Sequence, residues 1–184
     1  ENARYRVALD GDGNLASVYD KRLGRELLTA PLRLELLDDE PEQWSAWEID
    51  YADISAAPKA VAAGPAQVRV VESGPVRVAL EVTRSALGST FVQRVRLAAG
   101  GAGTGAEVEH EIDWRTPGTL LKAAFRLAPA SELATYDLGL GAVERGTSRP
   151  NLYEVPAQRW TDLTAPDRSF GVALLNDSRY GWDP

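Results

Sequence analysis

The amino-acid sequence predicts an all-β protein, built as a large antiparallel β-sandwich. Apolar residues alternate with polar ones in short segments along the chain, and this period of two is that of a strand with one buried face. Clusters of glycine, proline, aspartate and asparagine separate the segments, where turns are needed. No segment shows a convincing helical period. Short strands spaced in this way are typical of a sandwich.

Near the N-terminus, the alternation predicts strands over residues 5–9, 15–19 and 32–36. The first two are separated by Asp-Gly-Asp-Gly-Asn at 10–14, which predicts a tight hairpin turn. The same five residues resemble part of a calcium loop, but the terminal glutamate and the full spacing of such a loop are missing. The sequence therefore favours a plain turn.

The middle of the chain has the most regular alternation. It predicts strands over 68–70, 76–82 and 91–97, separated by turns at 73–75 and 87–89. This succession of short strands and short turns is expected for neighbouring antiparallel strands.

Residues 108–127 are predicted to form a central hairpin. The first strand has an apolar face, on which His110 is expected to be a satisfied core residue. Thr-Pro-Gly at 116–118 predicts the turn. The second strand, 120–127, is apolar enough to be predicted as buried on both faces.

The other face of the first hairpin strand is acidic. Its residues are Glu107, Glu109, Glu111 and Asp113. Such a face could bind a hard cation, but four like charges repel each other unless they are solvated or paired. The sequence favours a solvated face or pairing with Arg94 and Arg96 on a neighbouring strand.

The C-terminal part has two more predicted strands of interest. Residues 135–143 are interpreted as one strand interrupted by Gly139 and Gly141. Residues 170–175 are almost continuously apolar, so this strand is predicted to be central in its sheet.

Composition excludes several classes of function. The net charge of -7 argues against nucleic acid and anionic membranes as partners, since both require a basic face. Cysteine is absent, which excludes disulfides and thiolate sites, and a single histidine leaves no histidine pair for zinc. None of the common nucleotide-binding, hydrolase or metalloprotease motifs is found. The lack of methionine, together with ends that lie in or beside predicted strands, suggests a piece of a longer protein.

One loop, residues 43–51, has an unusual composition. Trp44, Trp47 and Tyr51 stand beside Glu48 and Asp50. Aromatic faces next to carboxylates suit a sugar, because the ring stacks on its C–H face while the acids accept hydrogen bonds from its hydroxyls. The alternative is a loop pinned to the sandwich by its tryptophans, and the residues alone do not decide between the two.

Two carboxylates in aromatic-flanked loops, Asp50 and Asp177, are the candidates for paired acid chemistry. The sequence does not show that they meet in space. No mechanism therefore follows from the residues alone.

Six stretches, taken together and in order, resemble the region after the catalytic domain in α-mannosidases of glycoside hydrolase family 38. The shorter bacterial and cytosolic branch of that family is the most similar. The stretches are LASVYDKRLGRELL at 15–28, DDEPEQWSAWEID at 38–50, EIDWRTPGTLLKAAF at 111–125, ATYDLGLGAVERGTS at 134–148, EVPAQRWTDLT at 154–164 and GVALLNDSRYGWD at 171–183.

The resemblance implies a sandwich of the galactose-mutarotase-like (supersandwich) kind over residues 1–184, as one domain truncated at its C-terminal edge. It also implies a parent enzyme that hydrolyses terminal α-mannosides with retention, using zinc and an aspartate nucleophile. In the family both belong to the preceding domain, which no stretch here matches. The chain is therefore expected to hold no catalytic residue, metal ligand or cofactor, and to be inactive alone.

The resemblance also implies two loops that help to shape the sugar site. The substrate-binding residues carried over are Trp44, Trp47, Asp50, Asp177, Arg179 and Tyr180. The expected partners are the protein's own N-terminal catalytic domain and a mannoside or oligosaccharide, with neither nucleic acid nor membrane. An open sheet edge could add a homo-oligomer, and the branch suggests the cytoplasm. The alternatives are a free-standing carbohydrate-binding module and a purely structural interaction domain.

Overall fold

The computed structural model describes residues 1–44, 46–146 and 150–183. Nearly all regular structure in these residues is β, in several antiparallel sheets, so the prediction of an all-β sandwich fold is confirmed. The chain divides into two compact units, Glu1–Arg126 and Leu127–Pro184. The prediction of a single domain stays a prediction.

The first unit contains ten strands, the last of which ends one residue beyond it. They are β1 (Tyr5–Leu9), β2 (Leu15–Asp20), β3 (Arg25–Glu26), β4 (Leu28–Asp38), β5 (Ala60–Val61), β6 (Gln67–Ser73), β7 (Arg77–Ala86), β8 (Ser89–Ala98), β9 (Glu107–Asp113) and β10 (Thr119–Leu127).

Helical structure is minor in the part of the chain that the structure describes. It consists of helix α1 (Tyr51–Ser55) and a single 3-10 turn at Gly100–Ala102. Neither element is long and apolar enough to cross a membrane.

Two sheets of the first unit enclose its core. One has the strand order β10-β4-β5 and the other β6-β7-β8-β9, while β1-β2-β3 form a third sheet. Leu34 and Leu36 of β4 pack against Phe91 of β8, and Ile112 and Leu121 pack around this cluster. Alternating residues of facing strands therefore meet between the sheets, which is the packing of a sandwich.

The prediction that residues 108–127 form a hairpin is wrong. Strand β9 pairs with β8, whereas β10 joins β4 in the other sheet. The hydroxyl of Thr116 lies 2.6 Å from that of Ser89 and donates to the Leu87 carbonyl at 3.1 Å, so the intervening segment is attached to the β7–β8 turn. Strand β10 is mostly half-buried rather than buried on both faces. A period of two is the same whether consecutive strands pair or cross between sheets.

The second unit contains six shorter strands. They are β11 (Leu133–Asp137), β12 (Ala142–Gly146), β13 (Val155–Pro156), β14 (Trp160–Thr164), β15 (Gly171–Leu175) and β16 (Gly181–Trp182). The sheet order is β12-β11-β14-β15, with β13 and β16 as a separate pair. Its core consists of Ala134, Tyr136, Val155 and Ala157.

Two further strand predictions are corrected here. Residues 135–143 form parts of two paired strands, because the Leu138 amide donates to the Gly141 carbonyl at 2.8 Å and Gly139 takes a left-handed φ of 83°. The glycines thus mark a turn. Strand β15 lies at the edge of its sheet rather than at its centre, and Leu175 at its end is exposed.

Candidate functional site

The loop with the two tryptophans, predicted at 43–51, follows β4 and ends at Tyr51, the first residue of α1. Trp44 is 67% exposed and Trp47 is 87% exposed. A tryptophan that pins a loop must bury its ring, so the interpretation that these residues attach the loop to the sandwich is wrong. Two indole faces are instead presented to solvent.

Backbone hydrogen bonds join the described residues of this loop. The Trp44 carbonyl accepts hydrogen bonds from the amides of Trp47 at 2.6 Å and Glu48 at 3.0 Å. Trp44 itself has a φ of 57°, which is uncommon for a side chain of this size. Asp50 precedes α1 and is half-buried, and its side chain does not cap the helix. The loop thus places two aromatic faces and a carboxylate within a few residues of each other.

The second candidate loop follows β15. Asn176 closes it, accepting from the Arg179 amide at 2.8 Å and donating to the Arg179 carbonyl at 2.6 Å. The Ser178 hydroxyl donates to Asp177 at 3.0 Å. Asp177, Arg179 and Tyr180 are all exposed, so this loop presents an acid, a base and a phenol to solvent.

The structure groups the six sequence-predicted site residues into two local sets. Trp44, Trp47 and Asp50 belong to one loop of the first unit. Asp177, Arg179 and Tyr180 belong to one loop of the second unit.

The acidic face of β9 is paired with arginines, as the sequence predicts. Arg94 contacts Glu109 at 2.7 Å and Glu111 at 3.1 Å, and Arg96 contacts Glu107 at 2.7 Å. The hydrogen bonds from Arg96 and then Arg94 lower the pKa of Glu109 to about 2. These carboxylates are therefore occupied by guanidinium groups. In the described ranges, no three His, Asp or Glu side chains are placed to hold a metal ion.

The pairing continues across the whole sheet, which the sequence did not reveal. Arg69, Glu81, Arg94 and Glu109 are successive cross-strand partners on β6 to β9. Glu81 is buried and accepts from Arg69 at 2.6 Å and from Arg94 at 2.8 Å. We call these four residues the charge row. The two arginines alternate with the two glutamates, so the charges within the row balance.

The turn at residues 10–14 is a plain hairpin turn, as predicted. It joins the antiparallel pair β1 and β2. The Asp10 carboxylate accepts from the amides of Asn14 at 2.8 Å and Asp12 at 3.0 Å. Burial opposes the charge of this group, but the hydrogen bonds, chiefly from Asn14, lower the pKa of Asp10 below its ordinary value. The Asp10 carboxylate therefore stabilises the turn in which it lies.

The fold and these surfaces define the class of protein as an all-β sandwich domain with solvent-facing aromatic and polar loops. The family model for the glycosyl hydrolases family 38 C-terminal domain matches residues 1–184, and the chain belongs to this family.

The chain is similar to three proteins that are named alpha-mannosidases. Alpha-mannosidase 2C1 of Homo sapiens is 32% identical over 190 residues, which cover 98% of this chain and 18% of that protein. Alpha-mannosidase 2C1 of Mus musculus has the same identity and coverage. Alpha-mannosidase G of Dictyostelium discoideum is 25% identical over 200 residues, covering 99% of this chain and 17% of that protein. The chain thus spans less than a fifth of the length of the curated relatives it matches.

Proposed function

We propose that this chain is the non-catalytic β-domain of an α-mannosidase of the bacterial and cytosolic branch. It scaffolds a zinc-dependent catalytic domain and helps to shape the mannoside site. The observation that carries the proposal is the family match over all 184 residues, together with relatives named alpha-mannosidases. The parent enzyme hydrolyses terminal α-mannosides with retention, and the cytoplasm is its proposed compartment.

The assignment of the chemistry to another domain is supported by the carboxylates of this one. A retaining glycosidase needs a nucleophilic carboxylate and a second group that acts as acid and then base. The acids of β9 are held by Arg94 and Arg96, and Asp10 is used by its own turn. Side chains with such partners are poor candidates for either role. We assign the nucleophile and the zinc ligands to an N-terminal catalytic domain, which is the first proposed partner of this chain.

The contribution to the substrate site is assigned to the two candidate loops. In the first loop Trp44 and Trp47 stack on sugar rings, and Asp50 accepts hydrogen bonds from hydroxyl groups. In the second loop Arg179 donates to hydroxyl oxygens, and Asp177 and Tyr180 complete the polar surface. The high exposure of both tryptophans supports this role, because it leaves their faces free for a ligand.

The proposal is tested first by hydrolysis of a chromogenic α-mannoside. We expect turnover by the full-length protein, loss of that turnover with a chelator and its return with zinc. The 184-residue chain alone is expected to be inactive under the same conditions. Chelator-sensitive turnover by the isolated chain would contradict the assignment of catalysis to another domain.

The loops are tested by Trp47→Ala and Arg179→Ala in the full-length enzyme. Loss of a stacking contact worth about 1 kcal/mol raises KM roughly fivefold, and loss of Arg179 is expected to raise KM or lower kcat. Val76→Ala is the control, since Val76 is exposed to a degree between those of the two tryptophans and lies outside both loops. If kcat and KM of a loop variant differ from those of the parent no more than those of Val76→Ala do, the substituted residue does not belong to the site.

The exposed tryptophans also favour a second function, a free-standing carbohydrate-binding module. Binding of mannose or a mannoside by the isolated chain, measured by tryptophan fluorescence, would support that alternative. Absence of any sugar contact in the intact enzyme would leave the purely structural domain. Self-association through an open sheet edge is a further proposal, to be measured by ultracentrifugation.

A further inference from the structure

The core of the first unit contains a buried arginine whose contacts are all neutral. Arg84 of β7 is 3% exposed. Its Nη1 donates to Asn14 Oδ1 at 2.6 Å and to the Ala62 carbonyl at 2.8 Å, and its Nη2 donates to the Gly13 carbonyl at 2.9 Å and to Gln93 Oε1 at 3.0 Å. Burying a cation costs free energy unless its surroundings compensate the charge, so the polar atoms near Arg84 determine how well it is stabilised.

A carboxylate reaches this arginine through an amide. Asn14 accepts from Arg84 with Oδ1 and donates from Nδ2 to Asp10 Oδ2 at 3.1 Å. The negative charge of Asp10 therefore partly compensates the positive charge of Arg84, with the Asn14 side chain between them. The five donors of an arginine include Nε, which takes no part in these contacts.

Three buried polar atoms around Arg84 have no hydrogen-bond partner among the residues that the structure describes. They are Arg84 Nε, Gln93 Nε2 and His110 Nδ1. Gln93 is 2% exposed and contacts Arg84 directly. It is also the direct cross-strand partner of His110 in the β8–β9 pair, so the two side chains lie side by side on one face. The three residues therefore form one cluster. Among the described residues, His110 Nδ1 lacks the partner that a satisfied core histidine requires.

Two of the three atoms are donors, and the third belongs to a ring that can accept. Arg84 Nε is a donor at every accessible pH. Because Gln93 Oε1 accepts from Arg84, the remaining Gln93 atom is its amide nitrogen, which is also a donor. Burial, followed by the charge of Arg84, lowers the pKa of His110 and favours the neutral ring. In the tautomer that carries its proton on Nε2, Nδ1 is an acceptor. The cluster thus offers two donors and one acceptor.

We propose that one buried water molecule bridges Arg84, Gln93 and His110. It accepts hydrogen bonds from Arg84 Nε and Gln93 Nε2 and donates one to His110 Nδ1. Three bonds are the usual number for an internal water, and two donors with one acceptor match its two lone pairs and one of its protons. This site belongs to the sandwich core and is independent of any mannoside. It links β7, β8 and β9 on the face opposite the charge row.

The direct test is a crystal structure of the full-length protein at a resolution that reveals ordered water. We expect one water within hydrogen-bond distance of all three atoms. Direct contact between Gln93 Nε2 and His110 Nδ1, or a dry gap between the three residues, would overturn the proposal. This measurement requires no variant.

The energetic test is His110→Phe in the full-length protein, followed by hydrogen exchange of peptides from β8 and β9. With the water in place, the phenyl ring displaces it and leaves two buried donors unsatisfied, so exchange is expected to accelerate roughly tenfold or more. In a dry site, the same change removes an unsatisfied nitrogen and leaves exchange unchanged or slower, which would refute the proposal. His110→Gln retains a side-chain acceptor and is expected to accelerate exchange less than His110→Phe. Val108→Ile, two residues away on the same strand, controls for repacking of β9.

Discussion

Substitution of Gly13 in the β1–β2 turn tests how this turn meets the core. Gly13 has a left-handed φ of 78°, and an added Cβ would lie 2.7 Å from Val82 Cγ1 and 3.0 Å from Ala66 Cβ. Val82 is completely buried, so it has little room to move away. The Gly13 carbonyl also accepts from Arg84 at 2.9 Å, and a shift of the turn would lengthen this bond.

The expected cost of Gly13→Ala is the sum of two effects. The left-handed conformation costs an alanine about 1 kcal/mol, and overpacking of a close-packed core costs about 2 kcal/mol. The free energy of unfolding should therefore fall by about 3 kcal/mol. For a chain of this length, that corresponds to a decrease in Tm of roughly 6–12 °C.

Two other glycines separate these effects. Gly88 has a φ of 84° with nothing within 4 Å of an added Cβ, so Gly88→Ala should show the conformational cost alone. Gly11 lies in the same turn as Gly13 without a left-handed φ or a close neighbour, so Gly11→Ala should change little. The assay is urea unfolding of the four proteins followed by tryptophan fluorescence. A Gly13→Ala protein no less stable than Gly88→Ala would refute the argument from close approach.

Three further predictions concern buried charges. Arg84→Met deprives four acceptors of their donor and should lower the free energy of unfolding by about 3 kcal/mol in urea titrations, whereas a change below about 1 kcal/mol would contradict the contacts described. Burial opposes the charge of Asp20, but the amides of Leu23 and Arg22 and the side chain of Arg4 lower its pKa below the ordinary value of 3.8. Its contribution to stability is therefore full above that value and is lost as the pH falls through the lowered pKa. Asp20→Asn should reduce stability near pH 6 and flatten its loss below about pH 4, and an unchanged pH profile would refute this assignment. Glu81→Gln removes the buried charge between two arginines, so unfolding should begin at lower urea concentration in low salt, and a stability equal to that of the parent would contradict the pairing in the charge row.

Local features of the fold were predictable because they depend on neighbouring residues. The turn at 10–14 and most strands of the first unit follow from alternation and turn chemistry, which act over a few residues. The pairing of Glu109 and Glu111 with Arg94 was predicted because like charges on one face need partners. Arg69 and Glu81 were missed because their place in the charge row depends on the registers of β6, β7 and β8.

The errors share one physical origin. The same alternation is compatible with a hairpin and with two strands in facing sheets, and β9 and β10 take the second arrangement. A continuously apolar strand can lie at the centre or at the edge of a sheet, and β15 lies at the edge. Periodicity indicates which face of a strand is apolar, but it carries no information on which strand lies beside it.

The candidate loops illustrate the same limit. Composition indicated aromatic rings beside carboxylates at 43–51, but it could not distinguish buried tryptophans from exposed ones. The exposure of Trp44 and Trp47 is set by whether the rest of the chain covers them, which is a property of the tertiary structure.

By itself, the sequence determined the all-β class, the turn chemistry and the likeness to glycoside hydrolase family 38, because these reside in local patterns and in the order of motifs. Only the tertiary structure decided which strands pair, that the tryptophans face solvent, and that Arg84, Gln93 and His110 share one buried cluster. Arg84, Gln93 and His110 are separated by many positions along the chain. They meet because the β8–β9 register pairs Gln93 with His110, while the β7–β8 register places Arg84 diagonally opposite Gln93 on the same face. Such registers are set by packing over the whole sheet.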